Sequence, residues 1–404
     1  MSAAVIVDIV RTATGKRYGG LSGWHPVDLL ASTFEALARR TGIDPAVIDD
    51  VIVGCVNQVG AQALNVGRSA VLAAGWPETI PATTIDRQCG SSQQAAHFAA
   101  QAVMSGACDV VIAGGVEVMS KVPLRASTSD PEYGAPFGPR ADQRYAGQEH
   151  FGVRGRISQG LSAELIARRW GISRAECDAF SVRSHELAAK ATADGRFAAE
   201  IVPLPARRLD RATGAVIPDE GHTVERDEGI RPGSTVDALA GLKPSFTPGG
   251  LLTAGNSSQI SDGASAMLVM SAERARDLRL RPRARFLGFA VAGVDPITML
   301  TGPIPATAKI LQRTGLGLDD IDVFEVNEAF APVVLAWLKE HPADPARVNP
   351  NGGAIALGHP LGASGGRLMA TMLGELERTQ GRYGLQTMCE GGGMANATII
   401  ERLG

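Results

Sequence analysis

The feature that most constrains this 404-residue chain is that its second half repeats the first in outline. Arg40-Thr41-Gly42-Ile43-Asp44, leading through Ile48-Asp49-Asp50-Val51 into an apolar run, returns as Arg313-Thr314-Gly315-Leu316-Gly317, leading through Asp319-Asp320-Ile321-Asp322-Val323. Cys89-Gly90-Ser91-Ser92 before a helical pattern has a counterpart in Gly362-Ala363-Ser364-Gly365-Gly366. The run Val110-Val111-Ile112-Ala113, read as a strand ending at Gly114-Gly115, matches Leu385-Gln386-Thr387-Met388 running into Gly391-Gly392-Gly393. Three echoes in the same order mean a duplicated unit. Strands alternate with helices in each copy, which makes the unit an α/β layer structure. The two halves are expected to pack together with pseudo-two-fold symmetry.

Within that frame, residues 3–7, 51–53 and 83–85 read as strands, and residues 26–40, 66–74 and 93–105 as helices. From 121 to 250 the character changes to Pro, Gly and charged residues in irregular order, broken by helical patterns over 162–170 and 173–194. So long an excursion reads as an insertion that covers something; a lid, an oligomer contact and plain decoration all stay open. A composition of 45% hydrophobic and 20% charged residues with net charge -3 is that of a globular chain without the basic excess of a nucleic-acid binder. No apolar run is long enough to span a bilayer. Five cysteines at unpaired spacing form no disulfide framework, and no short Cys/His spacing suggests a metal site. A reducing cytoplasm is the expected location.

Chemistry concentrates in four stretches. Asp86-Arg87-Gln88-Cys89-Gly90-Ser91-Ser92 places Cys89 on a strand-to-helix turn, where a helix dipole is expected to lower the thiol pKa. Asn349 to Pro360 is a Gly/Pro-rich loop that holds one imidazole, His359, as a base for a Cys nucleophile would be held. Met388-Cys389-Glu390-Gly391-Gly392-Gly393 sets a second Cys at a strand end beside glycine N–H groups suited to an oxyanion. Glu325-Val326-Asn327-Glu328-Ala329-Phe330 is a strand ending in Asn and Glu. Cys55, Cys108 and Cys177 fall in apolar or helical patterns and read as core, and the remaining histidines as surface or packing.

Cys89-Gly90-Ser91, Asn327-Glu328-Ala329-Phe330, Gly358-His359-Pro360 and Cys389-Glu390-Gly391 resemble, in order and spacing, the signature blocks of the thiolase family. The resemblance runs over the whole chain and most closely to bacterial degradative 3-ketoacyl-CoA thiolases. It implies a five-layered α-β-α-β-α core from two duplicated halves. The N-terminal half would be residues 1–120 with 251–275, the inserted loop domain 121–250 and the C-terminal half 276–404. It also implies thiolytic cleavage of 3-ketoacyl-CoA to acetyl-CoA and a shortened acyl-CoA. In that reaction Cys89 takes the acyl group, His359 its proton, and Cys389 serves as acid/base. Asn327 with His359 would hold the enolate, and the N–H groups of Cys89 and Gly391 the other oxyanion. Coenzyme A enters as a substrate, with contacts from Arg231, Ser258 and Phe330, and no cofactor is tightly bound. A homodimer or homotetramer and a β-oxidation partner enzyme are implied. The alternatives are an acetyl-CoA C-acetyltransferase making acetoacetyl-CoA, or a non-catalytic lipid carrier on the same fold.

Two departures from the family pattern stand out. Ser158-Gln159 precede Gly160-Leu161-Ser162-Ala163-Glu164, where acetoacetyl-forming members carry His-Met. Glu390 stands where many members have an apolar residue; there it either raises the Cys389 pKa or points to solvent.

Overall fold

The computed structural model describes residues 3–128, 134 and 136–404. Nine strands make the core: β1 (Ala4–Thr12), β2 (Asp50–Gly54), β3 (Ala82–Ile85), β4 (Val110–Val118), β5 (Ser261–Ser271), β6 (Ala284–Gly293), β7 (Val323–Val326), β8 (Tyr383–Glu390) and β9 (Met394–Arg402). They follow the spatial order β7-β8-β9-β6-β1-β5-β4-β2-β3. Read outward from the β1–β6 junction, the two halves repeat each other. β5 runs antiparallel to both β1 and β4, and β9 antiparallel to both β6 and β8. β2 lies parallel to β4, and β7 parallel to β8. Even the edge strand β3, parallel to β2, has a vestige in the second half, a single parallel bridge between Phe324 and Val348.

Strand alternation sends successive side chains to opposite faces, and here both faces are covered. On β1, Val5, Val7 and Val10 join a cluster with Leu29, Leu30, Phe34 and Leu37 of α1 (Pro26–Thr41) and Val66 and Val71 of α2 (Val66–Ala73). Ala4, Ile6 and Ile9 face the other way, into a cluster with Ala95, Ala96, Ala99 and Ala100 of α3 (Ser91–Ser105). The same cluster takes Phe286 of β6, Ile400 of β9 and Met369, Met372 and Leu373 of the C-terminal helix (Ser364–Thr379). A third cluster covers the outer face of the second half, with Ala306 and Ile310 from the helix Pro303–Thr314 and Val334 and Trp337 from the helix Ala331–Glu340. Helix, sheet, paired central helices, sheet, helix is the five-layered arrangement.

Between β4 and β5, within the first half, residues 121–250 carry α4 (Gln159–Arg169) and α5 (Arg174–Ala193), with two small antiparallel ribbons. A capping box of Ser173 and Glu176 starts α5. Numbered in order, the helices Pro303–Thr314, Ala331–Glu340 and Ser364–Thr379 are α6, α7 and α8. A buried ion cluster anchors the excursion: Arg11 of β1 meets Glu200 and Asp227, each at 2.7 Å. Next to it, Ile201–Val202 pairs in parallel with Arg11–Thr12.

Two strands outrun expectation: β1 continues past Val7 to Thr12, and β4 continues past its glycines. β4 does not end at Gly114-Gly115 but runs on to Val118. The glycines are sites of close approach, since a Cβ on Gly115 would lie 1.9 Å from the carbonyl oxygen of Gly362.

Candidate active site

Cys89 sits on a turn laced by its own neighbours. Asp86 accepts the Gln88 N–H at 2.6 Å, and Ser91 Oγ accepts from the Arg87 N–H at 2.9 Å while donating to the Gln88 carbonyl at 2.6 Å. Gln88 pays with a left-handed φ of 49°, uncommon for a residue with a side chain. The result is a thiol at the start of α3 with 4% of its surface exposed.

His359 is set by a second turn. Gly358 has φ 97°, and a Cβ there would lie 2.4 Å from Ser261 Oγ, so only glycine fits. The His359 N–H donates to Ser261 Oγ at 3.1 Å. Its Nδ1 lies 2.7 Å from Ser364 Oγ, whose single proton is committed to the Pro360 carbonyl at 2.7 Å. Nδ1 is therefore the protonated nitrogen, and Nε2 presents a lone pair into the site. Asn327 Nδ2 stands 3.4 Å from that Nε2. Asn327 follows β7, and next to it Glu328 accepts from Ser184, Asn349 and Ile355, binding α5 and the loop before His359 to the strand end.

Cys389 is wholly buried in β8; burial raises its thiol well above the ordinary value, the Cys89 and Glu390 charges add to the rise, and the Asn327 side chain opposes it. The N–H groups of Cys89 and Gly391 both favour the ionised form of the Cys89 thiol, opposing in part the effect of burial. Gly391 lies beneath Gln88 and Gln159, whose Oε1 and Nε2 stand 2.9 and 3.1 Å from where its Cβ would be. Thus Cys89, His359, Cys389, Asn327 and Gly391, from four separate stretches, meet at one place.

The electrostatics correct one expectation. Burial pushes the Cys89 thiol up to about 12, with the Glu390 charge adding to the rise, so desolvation outweighs the helix end. Burial, reinforced by Arg367, brings His359 down to about 3. The resting pair is a neutral thiol and a neutral imidazole. Glu390 does not point to solvent; it is buried, and its charge raises both thiols.

The expected CoA contacts are less concentrated. Ser258 is half-buried and donates its N–H to the Ala329 carbonyl at 3.0 Å, beside Phe330. The Phe330 ring meets that of Phe246 edge-on at 5.7 Å. Arg231 is exposed and held by its backbone, whose N–H donates to His185 Nδ1. Sequence reasoning missed Ser364 as the partner of His359, and Phe246. The signal for Ser364 was its place five residues past the His at a helix start; nothing local marks Phe246.

The description "Thiolase, N-terminal domain" matches residues 4–273, and "Thiolase, C-terminal domain" matches residues 280–402. A steroid 3-ketoacyl-CoA thiolase of Mycobacterium tuberculosis is 53% identical over 100% of this chain and 95% of its own length. A 3-ketoacyl-CoA thiolase of Bacillus subtilis is 41% identical over 99% of this chain and all of its own. The crystal structure of the Bacillus anthracis acetyl-CoA acetyltransferase superposes with a TM-score of 0.85 at 37% identity, covering 100% of this chain and 99% of that one. With both domains matched almost end to end and the duplicated layers in place, the chain belongs to the thiolase family.

Proposed function

We propose that this enzyme cleaves 3-ketoacyl-CoA with free CoA, giving acetyl-CoA and a shortened acyl-CoA through an acyl-enzyme on Cys89. The observation that carries this reading is the meeting of two buried thiols with one imidazole whose open nitrogen faces the site. Cys89 attacks the 3-keto carbon as its proton passes to His359 Nε2, and the N–H groups of Cys89 and Gly391 receive the alkoxide. The carbon-carbon bond breaks, and the enolate of acetyl-CoA is held by the imidazolium and, through a water, by Asn327. Cys389 gives its proton to the enolate carbon. Cys389, now a thiolate, takes the proton of incoming CoA, which attacks the thioester; Cys89 departs and recovers its proton from His359.

Residues 121–250 act as the inserted loop domain that roofs the site, with 1–120 and 251–275 as one half and 276–404 as the other. Gln159, placed over Gly391, brings a polar amide to the acyl side, and the relative at 53% identity is named for steroid substrates. We read the acyl group as bulky and ring-bearing. Arg231, Ser258 and Phe330 serve CoA, which is the only nucleotide carrier required. A homodimer or homotetramer is supported by the edge strand β3, whose outer side pairs with no strand among the described residues, and by Leu64, 94% exposed on the adjoining loop. No helix among the described residues is long and apolar enough to cross a membrane. A cytoplasmic β-oxidation setting with a partner enzyme fits this reading.

The test compares CoA-dependent cleavage of acetoacetyl-CoA with that of a ring-bearing 3-ketoacyl-CoA. The ring-bearing substrate is expected to react with the higher kcat/KM, and mass spectrometry to find the acyl group on Cys89. Cys89→Ser is expected to lower turnover by about a thousandfold or more with the fold retained. Acyl transfer at the normal rate in that variant would sink the assignment.

A further inference from the structure

Glu390 lies in sequence between Cys389 and Gly391, is fully buried, and has no hydrogen-bond partner among the described residues at either carboxyl oxygen. Glu117, an equally buried carboxylate on β4, shows what a structural anion looks like in this fold. It accepts from the N–H groups of Val56, Asn57 and Gly362 and from the side chains of Asn57 and Gln62. Glu390 has none of this.

The space over Gly90 is shared by Glu390 and the Asn396 amide. Glu390 Oε1 stands 2.1 Å from where a Cβ on Gly90 would lie, and Asn396 Nδ2 and Oδ1 stand 2.7 and 2.9 Å from the same point. Asn396 Nδ2 donates to the Gly90 carbonyl at 3.0 Å, which fixes the amide's orientation and leaves Oδ1 buried without a donor. Acceptors of two side chains thus lie buried over one glycine without donors among the described residues, and a proton on Glu390 is a donor that this space lacks.

We propose that Glu390 works as a neutral carboxylic acid that donates to Asn396 Oδ1, braces Gly90, and thereby sets the position and proton affinity of the adjacent Cys89 thiol. It is a positioning residue that does not touch substrate, and the proposal rests on the thiolase reading only for its consequence in turnover. The charged and titratable groups around it are Arg87 and Asp86 on the turn after β3, Cys89 on the same turn, and Cys389 on its own strand; Asn396 on β9 is neutral. Burial raises Glu390 to about 8, with Arg87 opposing and Asp86 adding. As the pH rises through that value a negative charge appears beside both thiols, which makes each harder to ionise. Nucleophile activation is then held back over the range in which an isolated thiol would be gaining reactivity.

The experiment reads alkylation of Cys89 by iodoacetamide, peptide by peptide in the mass spectrometer, from about pH 6 to about pH 10. It compares wild type with Glu390→Gln and with Glu390→Met, which removes the charge without adding a donor. The ratio of variant to wild-type rate is expected to rise about tenfold across the titration of Glu390, one unit of thiol pKa being a factor of ten. A ratio flat with pH in both variants would overturn the proposal. Should the variants fail to fold, infrared difference spectra of the wild type decide. A carbonyl stretch of a protonated carboxyl group must vanish with a midpoint near 8, and its absence at neutral pH overturns the proposal. Neither readout needs thiolase turnover, so failure here is distinguishable from failure of the functional reading.

Discussion

In the proposed reaction His359 can serve as a base because of which nitrogen Ser364 leaves open. The hydroxyl is spent on the Pro360 carbonyl, so it accepts from Nδ1 and frees Nε2. Ser364→Ala removes that acceptor and the preference between tautomers with it; kcat is expected to fall about tenfold to a hundredfold with KM little changed, as for loss of a ligand-orienting hydrogen bond. Steady-state kinetics check this, and an unchanged kcat would mean that packing alone orients the ring. Cys389 invites a different separation. Cys389→Ala should still form the acyl-enzyme from acyl-CoA but lose exchange of the α-protons of acetyl-CoA in deuterated water. Unchanged exchange would remove Cys389 from the chemistry. At this scale the residues that converge, Cys89, His359, Cys389 and Asn327, and the roles proposed for them are legible in the sequence, because each stands in a short, spaced block. The neutral state of the Cys89–His359 pair is not legible, because it depends on how much chain lies over the thiol.

At the scale of elements, the informative departure is β4. Gly114-Gly115 looks like a stop signal, and in one dimension it is indistinguishable from one. In the fold these glycines let β4 pass under the turn that carries Gly362, three residues beyond His359. Gly115→Ala would set a Cβ 1.9 Å from the Gly362 carbonyl oxygen and 2.8 Å from the Ser92 side chain. A backbone atom cannot swing aside as a side chain can. The expected cost is about 1–3 kcal/mol of stability, read as a lower urea midpoint, together with reduced kcat as the His359 turn shifts. Stability and kcat both at wild-type values would show that the two segments separate freely. The central helices obey the same close-packing rule: a Cβ on Gly365 of α8 would come within 2.3 Å of the Gln93 N atom of α3. The small residues at both helix starts thus bring Cys89 and His359 to the same level of the molecule.

For the whole molecule, buried ionisable groups set the pH dependence of folding. Asp262 at about 7 and Glu325 and Glu390 at about 8 hold protons in the folded state well above the unfolded values of 3.8 and 4.5. Their contribution is full below the unfolded values and is lost as the pH rises through the folded ones. His97 and His359 at about 3 and His185 at about 4 lie below the unfolded 6.5, so the unfolded chain takes up protons first as the pH falls. Stability is therefore expected to peak near pH 6 and to decline both above about 7 and below about 4.5, which urea midpoints across that range would test. A maximum above pH 8 would mean that these acids ionise freely in the fold. The duplication, the α/β layering and the candidate residues proposed for the reaction were set by the sequence alone, since they rest on periodicity and on short blocks whose local geometry the chain dictates. The tertiary structure alone decided that β4 continues, that Cys89 rests protonated, that Ser364 selects the His359 tautomer and that Glu390 is sealed against Gly90 and Asn396. Each of these depends on the distance and burial of atoms far apart in sequence, and desolvation and close approach are properties of packing rather than of order along the chain.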